Sequence, residues 1–165
     1  MDETIKQGNY LDKARGIPQD WKVVAMGDLD GDGKGDIVLQ NTAGDVVAWL
    51  MDGFTVKDGN YLHKAIPSDW QIKAIGDLDG DGKIDIIWQN VNNGDVAAWL
   101  MDGLAIKQGN YLHKGIPSDW QIIAIGDLDG DGKVDIIWQN VNSGDVAAWL
   151  MDGFAIKQGN YLHKG

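Results

Sequence analysis

Apolar and polar residues follow each other along this 165-residue chain with the short period of strands, not the longer period of helices. Trp70-Gln-Ile-Lys-Ala-Ile75 alternates between the two classes. Ile84-Asp-Ile-Ile-Trp-Gln89 is β-branched and aromatic, and Asp95-Val-Ala-Ala-Trp-Leu-Met101 is apolar on both faces. A fourth, more polar segment runs from Phe54-Thr-Val-Lys57 through Asp58-Gly59-Asn60 to Tyr61-Leu62-His63, and reads as an outer strand kinked or bulged at the glycine. Turn residues separate the four: Asp79-Gly80-Asp81-Gly82, Asn92-Asn93-Gly94, Asp102-Gly103 and Ile66-Pro67-Ser68. The pattern predicts one four-stranded antiparallel sheet per unit.

The unit repeats. Met51–Leu100 aligns without gaps on Met101–Leu150 with 42 of 50 positions identical, and Met151–Gly165 opens another copy. Met1–Leu50 is a more divergent copy with two extra residues near Arg15-Gly16. It lacks one residue near Glu3-Thr4 and one near Thr42-Ala43. Identity this high between neighbours points to recent duplication or engineering. Small sheets of about 40 to 50 residues, apolar on both faces, fit the blades of a β-propeller, each packed between its neighbours. The expected organisation is an extra outer strand and linker over 1–20, then blades over 21–69, 70–119 and 120–165. Trp21, Trp70 and Trp120 open the inner strands and Trp49, Trp99 and Trp149 lie in the third. Packing between blades is their expected role, with sugar stacking as the alternative. Trp88 and Trp138 have Leu39 as their counterpart, so an apolar filler suffices there.

Composition narrows the function. A formal net charge of −11 repels phosphate backbones and anionic headgroups, which argues against nucleic acid and membrane surfaces. Cysteine is absent, so disulfides, zinc thiolate sites and thiol catalysis are excluded. No apolar run approaches the roughly 18 residues that span a bilayer. The amino terminus, Met-Asp-Glu, does not read as a signal peptide.

Twelve of the 25 acidic residues fall in three copies of Gly-Asp-Leu-Asp-Gly-Asp-Gly-Lys-x-Asp. The first holds Asp28, Asp30, Asp32 and Asp36, the second Asp77, Asp79, Asp81 and Asp85, and the third Asp127, Asp129, Asp131 and Asp135. Four carboxylates within nine residues repel one another, and a hard divalent cation would neutralise them. Alternate spacing lets three side chains converge as the loop curls. The backbone carbonyl of Lys34, Lys83 or Lys133 is expected to add another oxygen. An oxygen-only donor set favours calcium, about one ion per blade, over zinc or copper. The twelfth loop position, where an EF-hand places a bidentate glutamate, holds Leu39, Trp88 or Trp138, so the ninth-position aspartate is expected to close the site.

These loops, preceded by Trp-x-Ile-x-Ala-Ile-Gly and followed by Gly-Asp-Val-Ala-Ala-Trp-Leu-Met-Asp-Gly, resemble the FG-GAP or VCBS repeats of bacterial surface proteins and integrin-like propellers. The resemblance covers nearly the whole chain. It implies an all-β propeller with one blade per repeat, a calcium ion in the loop joining the inner two strands, and an extracellular setting.

Three function classes compete. Every polar cluster recurs, and nothing pairs a nucleophile with a positioned base, so no catalytic residue and no enzymatic activity are expected. The leading expectation is a calcium-stabilised scaffold. The alternative is a multivalent glycan-binding or adhesion module using Asn60, Tyr61, His63, Asn110, Tyr111 and His113, which supply amides, a ring and a cation. The histidines His63, His113 and His163 otherwise read as surface residues, and their counterpart in the first copy is Asp12. Three blades fall short of the four to eight that close a propeller, so the chain is expected to pair with itself, as a homodimer making six blades, with a larger closed ring as the alternative. Thr4–Leu11 and Phe154–His163 both match the outer strand, which leaves one copy in surplus.

Overall fold

A computed structural model of the chain describes residues 17–165. Twelve strands, and no helix among the described residues, form three antiparallel sheets of four. The first sheet contains β1 (Trp21–Gly27), β2 (Asp36–Asn41), β3 (Val46–Asp52) and β4 (Thr55–His63). The second contains β5 (Trp70–Gly76), β6 (Asp85–Asn90), β7 (Val96–Asp102) and β8 (Ala105–His113). The third contains β9 (Trp120–Gly126), β10 (Asp135–Asn140), β11 (Val146–Asp152) and β12 (Ala155–His163). Strands follow sequence order in every sheet, so every connection inside a sheet joins adjacent antiparallel strands, the first through the acidic loop and the others through shorter turns. This is the blade-like meander expected from the alternating pattern. The expected extra strand near Thr4–Leu11, with Asp12, lies outside the described residues. Phe154–His163 supplies β12, the outer strand of the third sheet.

The outer-strand bulge is displaced from its expected position. Gly59 pairs in register with Trp49, and the register shifts fall to either side, one skipping Lys57 and one skipping Leu62. The same two shifts recur in β8 and β12. The glycine serves the tryptophan instead: a Cβ on Gly59 would sit 3.0 Å from Trp49 Cδ1, so only a bare backbone lets the indole lie across the strand.

Each sheet packs face to face on the next. The trailing face of the first sheet, with Leu29, Val38, Val46 and Ala48, buries the leading face of the second, with Ile86, Trp88 and Met101. Leu78, Ile87, Val96 and Ala98 repeat the arrangement against Ile136, Trp138 and Met151 of the third. Trp88 and Trp138 are each 2% exposed, and their rings lie tilted against Trp99 and Trp149 with centroids 4.8 Å apart. Their indole nitrogens have no hydrogen-bond partner among the described residues, so each ring buries an unpaired donor along with the apolar area it fills. Backbone hydrogen bonds stitch the seams. Ile84 N donates to Asp28 O and Gly103 N to Leu29 O, each at 2.8 Å. Val134 N and Gly153 N donate likewise to Asp77 O and Leu78 O.

Candidate metal centre

The acidic loops lie between the first and second strands of each sheet, and the first two of them meet the next sheet at its seam. Their curl is set by the aspartates' own bonds to the backbone. Asp28 Oδ1 accepts from Gly31 N at 2.7 Å and Asp32 N at 3.1 Å, while its Oδ2 accepts from Gly33 N at 2.8 Å. Asp30 Oδ1 accepts from Asp32 N, and Asp32 Oδ1 from Lys34 N. Gly31 and Gly33 adopt φ of 82° and 84°, a region that a side chain would strain. The loops at Asp77 and Asp127 repeat these bonds.

The ninth-position aspartate has a distinct role. Asp36, Asp85 and Asp135 are fully buried, and each carboxylate bridges the loop to the third strand. Asp85 Oδ2 accepts from Leu78 N at 2.8 Å and Oδ1 from Met101 N at 2.9 Å. Asp36 accepts from Leu29 N and Met51 N, and Asp135 from Leu128 N and Met151 N. Burial pushes the Asp85 carboxyl up to about 6 despite those two amides, with Asp79 and Asp77 adding to the rise. Burial likewise raises Asp36 above the usual carboxylate value, again against its two amides.

Carboxylate oxygens converge in every loop. Those of Asp28, Asp30 and Asp32, of Asp77, Asp79 and Asp85, and of Asp127, Asp129 and Asp135 lie within 4.8 Å of one another. Calcium–oxygen bonds of about 2.3–2.6 Å place oxygens that share one ion up to about 5 Å apart, so this spacing and the all-oxygen chemistry fit a hard cation. Across the three loops every expected aspartate position except the fifth of the second and third and the ninth of the first enters such a group. Lys34, Lys83 and Lys133 send their side chains away, onto Asp52 at 3.0 Å, Asp102 at 2.6 Å and Asp152 at 2.5 Å. The Asp102 and Asp152 hydrogen bonds hold Lys83 and Lys133 above the ordinary lysine value.

Sequence reasoning missed a cation that the fold itself supplies. The bulge in each outer strand turns Lys57, Lys107 or Lys157 back toward the acidic loop. Lys57 Nζ lies 2.6 Å from Asp32 and 3.6 Å from Asp30, Lys107 reaches Asp79 at 2.9 Å and also Asp81, and Lys157 reaches Asp129 and Asp131 at 2.8 and 2.6 Å. The Lys57 bond lowers Asp32, the Lys157 bond lowers Asp131, and backbone amides assist both. At Asp81 burial acts upward, but Lys107 and the Lys83 amide outweigh it and the net direction is down. Lys57, Lys107 and Lys157 are all held above the ordinary lysine value, chiefly by Asp32, Asp81 and Asp129 respectively. A divalent ion is therefore not the sole means of balancing the loop, as charge arithmetic on the motif alone implied. The available signal was a lysine at one fixed place in every copy.

The expected glycan residues separate into two groups. Asn110 and Tyr111 line an open cleft of about 390 Å³ with Pro67, Trp70, Trp88 and Trp99, and Asn160 and Tyr161 line a matching cleft of about 510 Å³ in the third sheet. Asn60 and Tyr61 occupy the same strand positions in the first sheet, where Tyr61 lies 6.3 Å from Trp21. His63 and His113 instead stack on Trp99 and Trp149 of the following sheet, at 5.8 and 5.6 Å. The amide-rich segment Gln89-Asn90-Val91-Asn92 nearby is engaged in its own turn: Asn90 Nδ2 donates to Asp69, and Asn90 Oδ1 accepts from Asn92 N and Asn93 N.

The family model of the FG-GAP-like repeat matches residues 77–138, from the second acidic loop into β10. Comparison with curated proteins gives no match. The matched stretch contains two of the three acidic loops, and the one outside it, Asp28–Asp36, lies in a sheet of the same strand order and register. Residues 77–138 are thus similar to an FG-GAP-like repeat.

Proposed function

We propose that this protein is a non-enzymatic, calcium-stabilised repeat scaffold, a section of a multi-chain β-propeller working in an extracellular setting. The observation that carries this reading is the convergence of three carboxylates in every acidic loop, two of which lie at sheet seams. Asp36, Asp85 and Asp135 tie each loop to the third strand, so an ion bound there would stiffen the loop, the hairpin and the seam together. Extracellular repeats of this kind need only modest affinity, since calcium outside cells is abundant. Isothermal titration with calcium tests the proposal: about three ions per chain are expected, with magnesium a much weaker competitor. Heat changes no different from buffer would overturn it.

Glycan binding is the second reading, favoured by the two repeat-related clefts, whose mixed indole and amide lining suits the apolar face and the hydroxyls of a sugar ring. Lys114 and Lys164 already lie over Tyr111 and Tyr161, at 4.3 and 4.5 Å, which disfavours a cationic ligand there. Tryptophan fluorescence during titration with neutral oligosaccharides is expected to change in steps that Trp99→Ala and Trp149→Ala remove. A flat response in saturating calcium excludes this reading.

A further inference from the structure

The two ends of the stack carry complementary halves of one interface. Inside the chain each seam has the same parts. A leucine from the acidic loop, Leu29 or Leu78, is fully buried under the next sheet, whereas its counterpart Leu128 is 48% exposed. Leu112 is 9% exposed, and its counterpart Leu162 is 57% exposed. At the opposite end, Val23 and Met26 are 57% and 68% exposed, while their counterparts Ile72 and Ile75, and Ile122 and Ile125, pack against the preceding sheet. Asp127 O and Leu128 O, which correspond to the acceptors at both internal seams, receive no such bond among the described residues.

Three glycines record the same vacancy. A Cβ on Gly27 would meet Ile75 Cδ1 at 3.0 Å, and one on Gly76 would meet Ile125 Cδ1 at 2.6 Å and Val134 Cγ2 at 2.8 Å. These glycines are seats for an isoleucine of the following sheet. Gly126 is the third seat, and among the described residues a Cβ there meets nothing within 4 Å. The lysine of the following sheet covers Gly31 and Gly80 in the acidic loops, Lys83 Cγ lying 3.4 Å and Lys133 Cγ 3.3 Å from a Cβ built there, while Gly130 has nothing among the described residues within 4 Å. Within the described residues, the third acidic loop is the one without a roof.

We propose that a second copy of this chain docks head to tail on the third sheet, seating Met26 at Gly126 and Lys34 over Gly130, and that two copies close a ring of six sheets. The occupant follows from continuity: the free trailing face repeats the residue pattern that two internal seams already join to such a leading face. A head-to-tail contact either closes or grows without limit. Among rings of about four to eight blades, six is the one multiple of three. Met26 and Gly35 replace the two branched residues that crowd Gly76, so the seam between copies is less tightly filled than those within one.

The proposal rests on the repeat-scaffold reading, and its test separates the two. Light scattering in calcium is expected to give twice 18.0 kDa for the unmodified chain. Gly126→Lys and Met26→Glu are each expected to give 18.0 kDa with an unchanged far-ultraviolet circular dichroism spectrum. Combining them, which sets opposite charges across the seam, is expected to recover the larger species. An unmodified chain of 18.0 kDa, or a dimer indifferent to both single variants, overturns the seam, while calcium-dependent melting in either case leaves the scaffold standing. A larger ring abolished by both single variants overturns the count of six.

Discussion

At the scale of single residues, Asp85 carries the sharpest consequence of burying a carboxyl among carboxylates. Its folded value of about 6 lies above the ordinary unfolded value near 3.9. A group raised on folding binds its proton more tightly in the native state, so its contribution to stability is complete below about pH 4 and is lost as pH rises through about 6. The metal-free protein is therefore expected to melt higher at pH 5 than at pH 7, a slope that Asp85→Asn reduces and that saturating calcium removes. Asp32, Asp81 and Asp131 shift the other way, so their contribution is lost only on acidification below about pH 4 and leaves that window clear. Scanning calorimetry across pH 4 to 7 with chelator provides the comparison. A slope of opposite sign would show that Asp85 is not the buried acid described. Lys107 yields a second prediction. Lys107→Met is expected to tighten calcium binding at the second loop severalfold, because a tethered competitor is gone, and to lower metal-free stability by less than about 1 kcal/mol, as partly exposed ion pairs do. Unchanged calcium affinity would mean that ammonium and ion do not compete.

At the scale of elements, the strands and their order were legible because alternation, β-branched runs and turn residues agree in every copy. Trp70–Ile75 became β5 with one added residue, and the glycine-rich tract after it became the loop that the spacing implied. What the pattern hid was where extended chain departs from the ladder. Gly59 looked like the site of a bulge, yet its role depends on the Trp49 indole across the sheet, a partner that spacing does not reveal. The bulge at Lys57 was invisible for the same reason, and with it the lysine's turn toward Asp32. The four aspartates were readable as a cluster, but the split between a buried clamp and a solvent-facing set was not. That split comes from amides of Leu78 and Met101, the second of which lies a whole strand away. The seam glycines extend the point. Gly94 packs against the Ile116 backbone at φ 77°, so Gly94→Ala is expected to overlap the Ile116 carbonyl and to cost at least about 2 kcal/mol in chemical denaturation. A cost below that of an exposed helix substitution would mean that the turn moves freely from the linker.

At the scale of the whole molecule, stability is distributed over seams, as in other repeat architectures in which each unit leans on its neighbours. Leu78 and Leu128 hold the same place in successive loops, one fully buried and one about half exposed. At protein concentrations too low for assembly, Leu78→Ala is expected to cost about 2–5 kcal/mol and Leu128→Ala under about 1 kcal/mol. Equal costs would place a cover over the third sheet within a single chain. Two of the three acidic loops sit at these seams, and three divalent ions would cancel about half of the net charge of −11. Ion binding, seam order and the fold itself are then one cooperative property. Thermal melting in saturating calcium against the same buffer with EDTA tests that claim most directly. A substantially higher melting temperature is expected with calcium, and identical melting curves in the two buffers would refute the coupling of ion binding to the fold.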